Sequence, residues 1–320
     1  MSKIKHKRGT SDPSASDLDV GELGINTTDG GVFTKTDGGS VVEIGGGGLS
    51  SDSDGNTIGG TNAGDAITSG QGLKNTLIGY DAGTDLTTSD ENVAVGHSAG
   101  ANLTEGYGHT YLGFEAGKNT ITSYKNVGVG YKALQNADAG GSYQFIGGWN
   151  TAVGYEAVKS TTTAREQTGV GYYALQAATT GGYNTGLGFE AGARITTGQS
   201  NVFVGNQAGS FVTTGERNTG IGRYCCFVTT LTGSNNTMLG YKATPSSASV
   251  SNEVTIGDDN VNKFRIPGIN FTVKDSTATE DYVLTVDANG EAGWEAAASG
   301  LSSDSDENTI GGTNAGDAIT

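Results

Sequence analysis

Residues 75–83 read NTLIGYDAG, and the phrase keeps returning. Residues 92–100 read NVAVGHSAG, 109–117 HTYLGFEAG, 184–192 NTGLGFEAG and 201–209 NVFVGNQAG. The glycine at its centre recurs in 17-residue steps at Gly79, Gly96, Gly113, Gly130 and Gly147. The phase slips by 7 to Gly154, then the step of 17 resumes through Gly171, Gly188, Gly205 and Gly222. Gly240, one residue late, and Gly257 close the series. A phrase that holds register over so many copies is the mark of a solenoid, in which each copy is one coil and its neighbours complete its core.

Within each copy the alternation is that of a strand. Thr76 and Ile78 share a face, as do Val93 and Val95, Val127 and Val129, and Val202 and Val204. These pairs are expected to point inward, beside small residues such as Ala82, Ala116 and Ala191 three positions after the glycine. A second segment (Leu86-Thr87-Thr88, Ile195-Thr196-Thr197, Val212-Thr213-Thr214) predicts a second short strand in many coils. The density of Gly, Thr and Asn disfavours helix. The expected fold is all-β: a repetitive β-solenoid or β-roll of about 17 residues per coil.

Composition agrees with a thin, repeated core. Of 320 residues 55 are Gly and only 3 Pro, without a Gly-X-Y period, so this is not collagen. Only 34% is apolar, too little for a large globular core. With 18 basic and 34 acidic residues the net charge is -16, which argues against nucleic acid as a partner, because phosphate binding needs a basic face. The two cysteines, Cys225 and Cys226, are adjacent and offer no disulfide framework; Cys225 stands where other copies carry Ala. The start MSKIKHKRGT is not followed by an apolar stretch, and no run approaches the ~20 apolar residues of a membrane span. The expected place of synthesis is the cytoplasm, without membrane insertion.

Four segments follow. Residues 1–48 precede the repeat and read as short strands around Asp-Gly turns: 21–26, then Val32 to Lys35, then Val41 to Ile44, ending in a Gly45–Gly48 hinge. Residues 49–257 are the repeat shaft. Residues 258–298, with strand-like stretches at 263–273 and 282–286, form a β-rich connector. Residues 299–320 begin a second module, because 300–320 copy 48–68 with Gly55 replaced by Glu307. The protein, or a partner, is expected to continue from there.

Two resemblances add to this. The KRGT start, GELGIN, DGGVFTK and the glycine run resemble the N-terminal module of bacteriophage tail-fibre proteins, over about the first 48 residues. That implies attachment to a virion through this end. Residues 252–257, NEVTIG, resemble the unit of the left-handed β-roll heads of trimeric autotransporter adhesins; the other copies set Asn one residue nearer the Gly, in a longer coil. Both resemblances imply a parallel homotrimer.

Residues with chemistry to offer are few. Gly96-His97-Ser98-Ala99-Gly100 matches the G-x-S-x-G elbow of serine hydrolases, but it aligns with GYDAG, GFEAG and GNQAG, so Ser98 fills a tolerant position without the elbow's helix. Asp52, Asp54 and Asn56, copied as Asp304, Asp306 and Asn308, begin like a calcium loop but lack the Gly at the sixth place and the Glu at the twelfth. They read as a capping loop. No catalytic, cofactor or metal residues are assigned. Asn75, Asn92, Asn126, Asn150, Asn184, Asn201 and Asn218 predict a ladder of turn-capping amides. Tyr80, Phe114, Tyr131, Tyr155, Tyr172, Phe189 and Tyr241 predict an aromatic ladder, for packing between coils or chains or for stacking a cell-surface glycan. Lys3, Lys5, Lys7 and Arg8, basic on an acidic chain, suit docking to a virion protein. The expected function is a non-enzymatic tail fibre that projects a host-contacting element. A capsid-decorating fibre, a bacterial surface adhesin and a polysaccharide-degrading tailspike are the other readings.

Overall fold

The computed structural model describes residues 6–27, 32–43, 49–137, 148–228 and 230–263, and the strand backbones at 282–286, 292–296, 302–303 and 309–310. The described residues contain strands and turns but no helix. The chain divides into two units, Met1–Val261 and Asn262–Thr320.

The first unit opens with a small sheet of β1 (His6–Gly9), β2 (Leu23–Asn26), β3 (Val32–Lys35) and β4 (Val41–Glu43), in that order. The two hairpins β2–β3 and β3–β4 are those expected from the turn chemistry. The basic start adds a strand that the sequence reading missed: β1 lies parallel to β2, with Lys7 opposite Gly24. Leu18 is the one buried apolar side chain among this segment's described residues.

The solenoid follows as a sheet of 13 strands. It begins with β5 (Ser50–Ser51) and β6 (Thr57–Gly59), an antiparallel hairpin. From β6 onward the strands run parallel, one per coil: β7 (Thr76–Ile78), β8 (Val93–Val95), β9 (Thr110–Leu112), β10 (Val127–Val129), β11 (Thr151–Val153), β12 (Thr168–Val170), β13 (Thr185–Leu187), β14 (Val202–Val204), β15 (Thr219–Ile221), β16 (Thr237–Leu239) and β17 (Val254–Ile256). Register is regular throughout, as in Thr185 opposite Val202 and Leu187 opposite Val204.

Three expectations need correction. Val127 pairs with Thr151, so the coil between them has 24 residues, and Gly130 stacks on Gly154. Gly147 is therefore not a rung; it belongs to an insertion in a long coil, at residues outside those described. The strand also faces the other way. Its middle residue is buried and the flanking pair points outward, so that Leu77 is enclosed while Thr76 and Ile78 are half-exposed. The apolar pairs that looked like core are surface. Finally, among the described residues the Thr-Thr segment is not a second strand. It still joins coil to coil, as Thr196 N–H donates to the Thr213 carbonyl at 2.9 Å.

The core is built from the strand's middle residue and the bend beyond the glycine, and their volumes compensate. In three coils with a large middle residue the bend is glycine: Leu77 with Gly83, Tyr111 with Gly117, Phe203 with Gly209. A Cβ on Gly83 would lie 2.8 Å from Leu77, and one on Gly117 or Gly209 would run into the Tyr111 or Phe203 ring. Where the middle is glycine, a bend residue fills the space: Leu175 reaches Gly186 and the Cys226 thiol reaches Gly220, each within 3 Å of where a Cβ would stand. Interiors are packed to near-crystal density, so neither partner of such a pair can change alone.

In the second unit, β18 (Tyr282–Val286) and β19 (Ala292–Ala296) form an antiparallel hairpin, as expected for a β-rich connector. The predicted strand at 263–273 lies almost wholly outside the described residues. β20 (Ser302–Ser303) and β21 (Thr309–Ile310) pair with Ser302 opposite Ile310. This repeats the pairing of Ser50 with Ile58, so the duplicated sequence starts the same hairpin.

Candidate functional site: ladders along the solenoid

A residue type repeated at one place in every coil becomes a column along the stack. The interior column is polar. Asn92 N–H donates to Asn75 Oδ1 at 2.9 Å, and Asn201 N–H to Asn184 Oδ1 at 3.0 Å. The Asn184 Nδ2 closes its own coil on the Gly198 carbonyl at 2.9 Å. Each amide thus satisfies a buried backbone N–H and a buried carbonyl, which would otherwise cost roughly 1–3 kcal/mol each. All seven of the predicted asparagines accept from the next coil in this way. The column is longer than predicted: Asn56, His109, Gln167 and Asn236 also belong to it, and all are fully or almost fully buried.

His109 replaces an amide there with its ring. Its Nε2 sits 2.8 Å from the Ser123 carbonyl and so carries the proton, while Nδ1 accepts from Asn126 N–H at 3.2 Å. Gln167 fits less well. Its Nε2 reaches the Gly181 carbonyl at 3.0 Å, but its buried Oε1 has no hydrogen-bond partner. The Gln167→Asn change is therefore expected to raise stability by about 1 kcal/mol, because the shorter amide can accept from the next coil. Thermal melting at fixed protein concentration checks this; an unchanged or lower midpoint counts against the column as the cause.

The outer aromatic column is a stack of rings. Successive centroids from Phe114 through Tyr131, Tyr155 and Tyr172 to Phe189 are 4.9–5.2 Å apart, and the rings are nearly parallel. His97 fills the gap between Tyr80 and Phe114 at 5.1 and 5.2 Å, a member missed by counting only Tyr and Phe. Tyr241 does not join the stack: Asn206 and Arg223 occupy the two intervening coils, and its ring neighbour is Tyr224 at 6.4 Å. Ring faces within the stack are covered by the rings above and below. What they offer outward is edges, which suits packing against a surface better than stacking of a sugar.

Beside the aromatic column runs a line of carboxylates tied to their neighbours. Glu115 pairs with Lys118 at 2.7 Å and accepts from Gln135 at 2.7 Å. Glu156 pairs with Lys159 at 3.0 Å and accepts from Gln176 at 2.7 Å, and Glu190 accepts from Gln207 at 2.6 Å. The hydrogen bond from Lys118 holds the Glu115 carboxyl below the usual carboxylate range. A proton-donating acid for sugar hydrolysis needs the opposite shift.

Ser98 Oγ lies 2.9 Å from His97 Nδ1. Its positive φ of 53° matches that of Asp81, Glu115 and Glu190 at the same place in other coils, so the conformation belongs to the repeat and not to a nucleophile. Asp52 Oδ1 accepts from the backbone of Asp54 and Asn56 at 3.0 and 2.8 Å, and the Asn56 side chain holds its carboxyl below the ordinary range. Asp54 accepts from Gly70 N–H at 2.8 Å. These carboxylates close a turn. Asp304, Asp306 and Asn308 lie outside the described residues. Among the described residues no cluster of three His, Cys, Asp or Glu could hold a metal ion. Cys225 and Cys226 are buried free thiols, and the contact with Cys225 together with burial pushes the Cys226 thiol up.

At the N-terminal sheet, Lys7 pairs with Glu22 at 3.2 Å and also donates to the Asp17 carbonyl. Its charge is thus partly met within the chain. Arg8 is exposed on β1, and Lys3 and Lys5 lie outside the described residues. A further exposed group, which the sequence reading passed over, comprises Tyr107, Trp149 and Tyr183, with Arg165 donating to the Tyr183 hydroxyl at 2.7 Å. Trp149 and Tyr183 share one place in coils two apart, where the coil between carries Glu166, so the repeat of residue type was too sparse to stand out.

No protein-family model, no curated protein and no solved structure matches this chain.

Proposed function

We propose that the chain is a structural fibre of a bacteriophage virion, most simply a tail fibre, which anchors by its N-terminal module and holds a host-contacting element at a distance. It acts without catalysis, as a homotrimer. The observation that carries this reading is the uninterrupted run of parallel coils from β6 to β17, joined by backbone hydrogen bonds and by an interior amide column. Such a chain invests its sequence in length and stiffness. The carboxylates beside the aromatic column, Glu115, Glu156 and Glu190, are engaged by lysines and amides of their own or adjacent coils, which favours a stalk over a glycan-cleaving tailspike. The virion itself enters through the resemblance of residues 1–48 to tail-fibre modules. Their small sheet encloses little apolar surface, so it suits folding against sister chains or a virion protein.

Removing residues 1–44 is expected to leave a soluble solenoid that no longer joins particles. Assembly of virions with the truncated chain, followed by quantitative blotting of purified particles, tests this. Truncated chain on particles at normal copy number would place attachment elsewhere.

A further inference from the structure

Resting on the assembled-fibre reading above, we propose that copies of this chain meet through the outward face of the solenoid sheet, side by side, parallel and in register. Parallel sheets are ordinarily covered on both faces. Here only the inner face is covered. From β7 to β17 the third residue of every strand is Ile, Val or Leu, and the first is Thr or Val. Many are conspicuously exposed: Leu112 and Ile221 at 46%, Ile256 at 49%.

Size separates this face from ordinary surface. Eleven strands at ~4.8 Å spacing and three residues of ~3.3 Å make a strip of roughly 50 by 10 Å, or about 500 Å². That is near the upper end of the ~300–600 Å² for the largest patch on a monomer, before the adjoining aromatic column is added. Two such faces together bury roughly 1,000 Å², the lower threshold for a specific interface, and the adjoining aromatic column adds to it.

The occupant follows from period and charge. The face is corrugated by β-branched or aliphatic residues at the same two places once per coil over eleven coils. A surface that interlocks with it along its whole length must repeat at the same spacing, and a second copy of the chain in the same direction does so by construction. The chain carries a net charge of -16, yet neither strand column holds a charged residue between β7 and β17. Mutual repulsion is thereby weakest where two copies would touch.

The test uses the full chain with Val170→Glu and Leu187→Glu, on the adjacent strands β12 and β13. Both positions are more than a third exposed, so a lone chain can solvate the new charges. In sedimentation at micromolar concentration the wild type is expected to be one defined oligomer. The double variant is expected to be monomeric, with an unchanged strand signal by circular dichroism. A Thr197→Glu control, at an exposed place outside the sheet, should keep the oligomer. A folded double variant that still assembles would overturn the face while leaving assembly intact. A monomeric wild type would overturn both.

Should the double variant misfold, cysteine cross-linking decides. Val95→Cys and Leu187→Cys should each form a disulfide with their own kind, and the buried native thiols should not compete. Crosslinks between positions 95 and 187 in a mixture, or none from either, would overturn a parallel, in-register contact.

Discussion

Gly188→Ala is expected to destabilise the solenoid by roughly 3 kcal/mol or more, although it adds one methyl group to a half-buried bend. Gly188 has a φ of 135°, in a region that L-residues do not occupy, and a φ of 137° recurs at Gly171, Gly205 and Gly222. Space is also lacking: a Cβ there would stand 2.5 Å from the Gly205 carbonyl oxygen, which is backbone and cannot turn aside. The strand would have to leave its register, and with it the bond from Gly188 N–H to Val170 O at 2.8 Å. Glu190, two residues on, supplies the contrast. Its φ of 51° is left-handed but tolerated by other side chains in this repeat. Glu190→Gly trades relief of that conformation against unfolded-chain entropy, and should change stability by only about 1 kcal/mol in either direction. Thermal melts of both variants at one concentration test the pair. Equal small losses would show that the glycine column is not conformationally required.

The second large effect lies in the core. Phe203→Gly is expected to cost roughly 3–5 kcal/mol through the cavity it leaves. Gly209→Leu, which drives a side chain into the Phe203 ring, should cost about 1–3 kcal/mol or prevent folding. Gly and Leu stand at the same two sequence places two coils earlier, as Gly169 and Leu175, where the leucine reaches into the next coil at Gly186. The double variant should therefore be more stable than the sum of the singles by about 2 kcal/mol. Denaturant melts of the four proteins form the cycle. Additive losses would mean that the two positions do not share one space.

The two experiments bear on what the sequence could reveal. The glycine register was legible because its cause is local: a single backbone conformation that one residue type satisfies. Orientation of the strand was not. Alternation separates Thr76 and Ile78 from Leu77 but does not say which set is inside. The middle position ranges from Gly to Tyr111 and so looked unconstrained, whereas the constraint is on its sum with a bend residue six positions later or in the adjoining coil. The 17-residue spacing of Gly147 was a coincidence of counting within an insertion. His109 and Gln167 stand in the amide column by hydrogen-bonding capacity, and His97 in the aromatic stack by flatness, properties that a tally of residue names does not register.

The long coil between β10 and β11 shows that the stack does not fix how much chain a turn contains; it fixes only where each strand lies. Height and girth are therefore separate quantities. Gain or loss of one whole repeat would change the height by a single ~4.8 Å step and leave both ends as they were. Extra residues within a turn would change only the local girth. A lineage carrying such a gene can adjust its reach in discrete increments by gaining or losing whole repeats, and can vary surface loops independently, without redesigning any joint.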